Sequence, residues 1–183
     1  MRVAIYGGSF NPPHVGHAMV ASWLSWTSQV DVVWFLPSFA HPFEKDLAPW
    51  ALRVAMCEAV AAMVGAEVCT VESVLPTPSY TIDVLRVLES QHPEHRFQLV
   101  AGADVVEDLP RWKAWNEIAV DFTPILVGRQ GYACPEGAIE FPPISSTEIR
   151  RALQAGESVE HLVPSVIWPM LGPYRSGPKP MKP

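Results

Sequence analysis

Cysteine is scarce in this chain: three residues in 183, at Cys57, Cys69 and Cys134, and no two of them form a C-x-x-C pair. That pattern argues against a disulfide framework or a structural zinc site and suits a reducing compartment. Charge is sparse too, at 17% of residues, and it is unbalanced, with 13 basic against 19 acidic side chains. A net charge of −6 argues against broad binding to nucleic acid or anionic membranes, but it leaves room for a local basic pocket. No apolar run approaches the roughly 18 residues of a membrane helix. A signal-peptide plan is missing as well, since Arg2 leads into a short apolar stretch and then glycines. Neither G-x-G-x-x-G nor G-x-x-x-x-G-K-[ST] occurs, so the dinucleotide-binding and P-loop readings both fail. What remains is 49% hydrophobic, enough for a folded, cytosolic protein with its own core.

Short apolar runs alternate with helical patterns. Strands are expected at Val3–Tyr6, Val32–Leu36, Val68–Val71, Phe97–Ala101 and Pro124–Val127. Helices are expected at His14–Trp26, Ala51–Val64, Thr81–Gln91 and Thr147–Gln154, with a tryptophan-bearing helix or loop at Leu109–Ile118 and a short closing helix after Val159. This alternation predicts an α/β fold, a Rossmann-like doubly wound parallel sheet with helices on both faces. One domain is expected over residues 1–171, followed by a disordered proline-rich tail over 172–183. Ligands of such sheets bind beyond the carboxyl ends of the strands. Gly7 to His17, Ser38 to Lys45, Gly102 to Asp104 and Gly128-Arg129 all follow expected strands, so they should gather along one edge.

The first of these segments is the most informative. Gly7 and Gly8 follow the first strand, where a side chain would obstruct a ligand close to the backbone. Ser9-Phe10-Asn11-Pro12 leads to His14 and His17, three apart and therefore on one face of a helix start, where free N–H groups and the dipole favour an anion. Gly16 between them should leave room for a phosphate or ribose. Histidines that merely cap the helix, or pair on a metal, are the plainer alternatives, although zinc would need further ligands at a useful spacing. Near the other end, Ile144-Ser145-Ser146-Thr147-Glu148-Ile149-Arg150 opens a helix. Its Ser and Thr could simply be caps. Arg150, one turn along, could instead return its guanidinium toward a phosphate at the helix start.

Gly8-Ser9-Phe10-Asn11-Pro12 with His14-x-x-His17 resembles the signature of the nucleotidyltransferase superfamily that carries an H-x-G-H motif. Ile144 to Arg150 resembles the I-S-S-T-x-I-R string of the nicotinate and nicotinamide mononucleotide adenylyltransferases within it. Two further strings are similar to that family: Ser79-Tyr80-Thr81-Ile82-Asp83, and Gly102-Ala103-Asp104 with Leu109-Pro110-Arg111-Trp112. The likeness runs from about Met1 to Leu171. It departs at His41-Pro42-Phe43-Glu44-Lys45, where nicotinate enzymes carry a P-P-H-K-like loop.

The resemblance implies transfer of adenylate from ATP to nicotinate mononucleotide, giving deamido-NAD and pyrophosphate. Nicotinamide mononucleotide, a phosphopantetheine-like acceptor, or a sensor that binds nucleotide without turnover are the alternatives. It further implies that Gly8, Ser9, Phe10, His14, His17, Ser146, Thr147 and Arg150 bind ATP, and that His14 and His17 are catalytic. Lys45, Thr81, Asp104 and Trp112 would bind the mononucleotide. Plainer readings stand beside these, a helix cap for Ser79 or Thr81 and core packing for Trp112. The cofactor implied is Mg²⁺ held mainly by substrate phosphates. ATP and the pyridine mononucleotide are the expected partners, with no nucleic acid or membrane, and a homo-oligomer is left open.

Overall fold

The computed structural model describes residues 1–40, 47–134 and 136–175. Six strands, β1 (Arg2–Gly8), β2 (Val32–Pro37), β3 (Glu67–Val68), β4 (Arg96–Gly102), β5 (Ile125–Arg129) and β6 (Glu140–Phe141), form a sheet in the order β3-β2-β1-β4-β5-β6. Every pairing is parallel. Side chains alternate between the two faces of a strand, and both faces here are buried. Ala4, Val33, Phe35 and Val100 join one apolar cluster; Val3, Ile5, Phe97 and Leu99 join the other.

Helices α1 (Val15–Trp26), α2 (Trp50–Val64) and α5 (Ser146–Gln154) supply the first cluster. Helix α3 (Thr81–Gln91) supplies the second together with Ile118 of α4 (Trp115–Asp121). The expected doubly wound sheet is therefore present. Helix α2 stops at Gly65, whose φ of 71° is the left-handed conformation that glycine adopts at least cost. Among the described residues, no helix is long and apolar enough to cross a membrane.

Three local expectations need correction. The strand expected over Val68–Val71 ends at Val68, and Val71–Val74 turns into a 3-10 helix. Strand β6 is an addition to the expected set, because a pair of residues carries no periodicity. The closing helix after Val159 is a 3-10 helix at Ser165–Met170 followed by α6 (Gly172–Arg175). Residues 172–175 are thus helical where the tail was expected, and Tyr174 is buried.

Register sets the site. Gly8 of β1 lies beside Pro37 of β2, and Gly102 of β4 lies beside Val127 of β5. The carboxyl ends of the four central strands therefore finish at one edge of the sheet, where the connecting loops meet.

Candidate active site

From Gly8 the chain enters a tight loop. Phe10 sits at φ 45°, a conformation uncommon for a bulky residue and costing about 1–2 kcal/mol. Burying its ring offsets this: Phe10 is 2% exposed and packs edge-on against Tyr6, Phe35 and His17, a burial that stabilises by about 1.5–3 kcal/mol. A methyl group added at Gly8 would meet that ring at 3.3 Å, whereas nothing lies within 4 Å of one at Gly7. Gly8 thus makes room for Phe10, a protein group, where a ligand was expected to need the space.

The loop is held from beneath by Arg53 of α2. This guanidinium is 1% exposed and donates to the carbonyls of Ser9 (2.9 Å), Ser38 (2.8 Å) and Ala48 (3.0 Å). A buried charge persists only where such hydrogen bonds replace water. Arg53 lies on the stripe that includes Met56, Cys57 and Val60, all buried. It is absent from the expected site residues, although a lone cation on an apolar stripe at helical spacing is a signal the sequence carries. Asn11, also buried, accepts at its Oδ1 from the Ala48 N–H (3.1 Å) and the Tyr174 hydroxyl (2.9 Å).

His14 and His17 open α1. Their rings stack with centroids 3.7 Å apart, so the three-residue spacing does bring them together. The backbone N–H of His14 donates to Nδ1 of His17 at 3.1 Å. An imidazole that accepts at Nδ1 while neutral carries its proton on Nε2, as a donor. Burial holds His14 down at about 3, with the charge of Arg129 adding to the effect. His17 is pushed well below the ordinary histidine value by burial first, then by His14 and Arg129. Both rings are therefore neutral at pH 7. His14 Nδ1 is buried without a hydrogen-bond partner among the described residues. At Gly16 an added methyl group would meet the His14 ring at 3.1 Å. The first turn of α1 holds no acidic side chain, which keeps the helix start hospitable to an anion.

Helix α5 closes onto this loop. Ser145 is its cap, accepting from the Thr147 N–H at 3.2 Å, and that frees the next two residues for other work. Ser146 donates its hydroxyl to the Pro12 carbonyl (2.8 Å). Arg150 turns back to the helix start, donating to the Asn11 carbonyl (2.7 Å) and to the Thr147 hydroxyl (3.3 Å). Two strings 139 residues apart thus share one hydrogen-bonded wall.

Arg129, at the end of β5, joins that wall to Asp104. It donates to the Ile144 carbonyl at 2.8 Å and pairs with the Asp104 carboxylate at 3.3 Å. Asp104 crowds Gly102, where an added methyl would come within 2.5 Å of its Oδ1, so a side chain there would push the carboxylate aside. From the sequence, Arg129 is only part of a polar strand end; its position beyond a strand is the available signal.

Thr81 and Trp112 stand on other elements. Thr81 is the first residue of α3, and Tyr80 stands at the cap position, so neither Ser79 nor Thr81 caps the helix. Trp112 is half-buried against the cluster that contains Ile82 and Leu85, as its packing reading requires. Lys113 ties the two strings together: its Nζ binds both carboxylate oxygens of Asp83 at 2.8 Å and lies 4.9 Å from the Tyr80 ring centre. Lys45 lies outside the described residues.

Similarity to known proteins agrees with this geometry. Residues 5–152 match the family model described as Cytidylyltransferase-like. A protein of Anaeromyxobacter sp. (strain K), named "Probable nicotinate-nucleotide adenylyltransferase", is 46% identical over 170 residues, 91% of each chain. One of the same name from Myxococcus xanthus (strain DK1622) is 40% identical, covering 90% of this chain and 88% of its own. In fold, the chain is similar to the Plasmodium falciparum nicotinic acid mononucleotide adenylyltransferase complexed with NaAD. That TM-score is 0.76 at 18% identity, with 94% of this chain and 95% of that one covered. The chain belongs to the cytidylyltransferase-like family and, within it, to the nicotinate-nucleotide adenylyltransferases that these relatives represent.

Proposed function

We propose that this chain transfers the adenylyl group of ATP to the phosphate of nicotinate mononucleotide, releasing pyrophosphate and forming the deamido-NAD dinucleotide. The observation that carries this reading is the wall built by Arg150 and Ser146 on the carbonyls of Asn11 and Pro12, beside the stacked His14 and His17. Neutral imidazoles and a guanidinium around one space suit a polyphosphate that must be held and then cleaved.

The attacking group is a phosphate oxygen of the mononucleotide. It forms a bond to the α-phosphorus of ATP while the bond from that phosphorus to the bridging oxygen breaks, and pyrophosphate leaves with the electron pair. No side-chain nucleophile is needed, so the protein's contribution is alignment and charge stabilisation. His17 donates its Nε2–H to the α-phosphate, and His14 contacts the ATP phosphates nearby. Ser146, Thr147 and Arg150 hold the departing pyrophosphate, while Gly8, Ser9 and Phe10 shape the loop under the nucleotide. Asp104, steadied by Arg129, faces the ribose, and Thr81 and Trp112 enclose the pyridine.

Among the described residues around the histidines the donors are N–H groups, hydroxyls and guanidinium, and the Asp104 carboxylate is paired with Arg129. That set fits Mg²⁺ carried on the substrate phosphates and water, and does not fit an ion caged by the protein. When bound, the ion neutralises charge on the phosphate oxygens.

The test is pyrophosphate release from ATP with each mononucleotide in parallel. Release is expected with nicotinate mononucleotide in preference to nicotinamide mononucleotide, and His17→Ala should cut kcat roughly 10²–10³-fold without unfolding the chain. Release only with phosphopantetheine, or ATP binding without any release, would overturn the assignment.

A further inference from the structure

At the opposite end of the sheet, three metal-ligating side chains meet in a part of the molecule the adenylyl transfer does not use. His92 is the C-terminal cap residue of α3, and the segment His92-Pro93-Glu94-His95 leads directly into β4. The His95 N–H donates to the His92 carbonyl at 3.0 Å, closing the segment into a turn. Pro93 restricts that turn further by fixing its own φ. Glu94 Oε1 lies 3.4 Å from His95 Nδ1 and 3.8 Å from His92 Nδ1, and the three ligand atoms all fall within 4.8 Å of one another.

We propose that His92, Glu94 and His95 bind a first-row divalent transition-metal ion of the Zn²⁺ class. Two ligands on one tetrahedral zinc, each bonded at about 2.0–2.2 Å, are separated by about 3.4 Å. The two glutamate–histidine separations are already close to that, and the half-exposed His92 can swing the remaining distance. Two imidazoles and one carboxylate form a ligand set that zinc accepts, with its further position left to water. A second observation points the same way. His95 Nδ1 is buried, yet it has no hydrogen-bond partner among the described residues, its contact with Glu94 failing as a hydrogen bond. Buried polar atoms are nearly always satisfied, and a metal bond would satisfy this one. The carboxyl end of α3 adds a partial negative charge on the same side.

Trp34 of β2 shapes the floor. Its ring meets His92 edge-on at 5.4 Å and His95 at 6.0 Å, while the two imidazoles lie nearly parallel, 9° apart. These contacts leave little freedom to the less exposed His95 and fix the direction in which its ring is presented. β4 separates this turn from the nucleotide edge by seven residues, about 20 Å at the usual strand rise. An ion bound there would pin the α3–β4 turn and leave adenylyl transfer untouched.

Isothermal titration of the metal-stripped full chain with Zn²⁺ alone tests this, with Mg²⁺ as the oxygen-seeking control. One Zn²⁺ per chain is expected to be lost or weakened at least tenfold in both His92→Gln and Glu94→Gln, and Mg²⁺ should not occupy the site. Both positions are exposed enough for the variants to fold, and circular dichroism with unchanged pyrophosphate release would establish that they do. Absence of Zn²⁺ binding in the parent chain, or equal affinity in both variants, would overturn the proposal.

Discussion

An imidazole can serve a phosphate as a cation or as a neutral N–H donor, and at His14 and His17 the surroundings select the second. Burial and the nearby Arg129 hold His14 at about 3 and His17 well below its ordinary value. Positive charge is left to the guanidinium groups of Arg129 and Arg150. The same depression lowers stability as pH falls from 6.5 toward 3, because only the unfolded chain takes up these protons in that window. A ¹⁵N NMR titration of the two rings between about pH 8 and 5 should find both neutral, with the His17 proton on Nε2. A midpoint near 6.5 at either ring would contradict the neutral-donor role. The pairing of these residues is legible from the sequence, since i and i+3 on a helix share a face. Their protonation state is not, because it depends first on burial and then on the charge of Arg129, both of which only the fold brings about.

At the scale of elements, the start of α5 separates a cap from a clamp. Ser145 satisfies the helix end, so Ser146, Thr147 and Arg150 are available to the loop after β1. Arg150→Ala removes a guanidinium at the start of α5, and a charged hydrogen bond from it to a phosphate oxygen is worth about 1.5–3 kcal/mol. The expected result is ATP affinity or pyrophosphate release weakened roughly 10–100-fold. If ATP titration and turnover are both unaltered, the α5 start is a structural cap alone. Helix α5 is readable from its Ser145 cap, and α1 and α3 from apolar spacing, because these are local properties. Strand β6 is not, being two residues long, and neither is α6, whose composition resembles a loose tail. Tyr174 of α6 is ordered by a tertiary contact: its hydroxyl reaches Asn11 across 163 positions. Arg53 shows the same limit from the other side. Its place on an apolar stripe is visible in the sequence, but the three carbonyls it binds come from loops that only the folded sheet assembles.

Across the whole molecule, parallel register is what turns scattered strings into one site. Gly8, Pro37, Gly102 and Arg129 end strands that all run the same way, so the segments following them converge. The alternation of strands and helices forecasts that convergence, but the strand order, with β1 between β2 and β4, has no counterpart in local pattern. The assembled edge offers donors and cations, and the mononucleotide phosphate is itself a nucleophile, so adenylyl transfer should occur in a single displacement. The stereochemical course at the α-phosphorus tests this most directly. With ATP made chiral at that atom and nicotinate mononucleotide as acceptor, the dinucleotide is expected with inverted configuration. Retention, which needs an adenylylated side chain between two displacements, would contradict it, as would failure to form the dinucleotide.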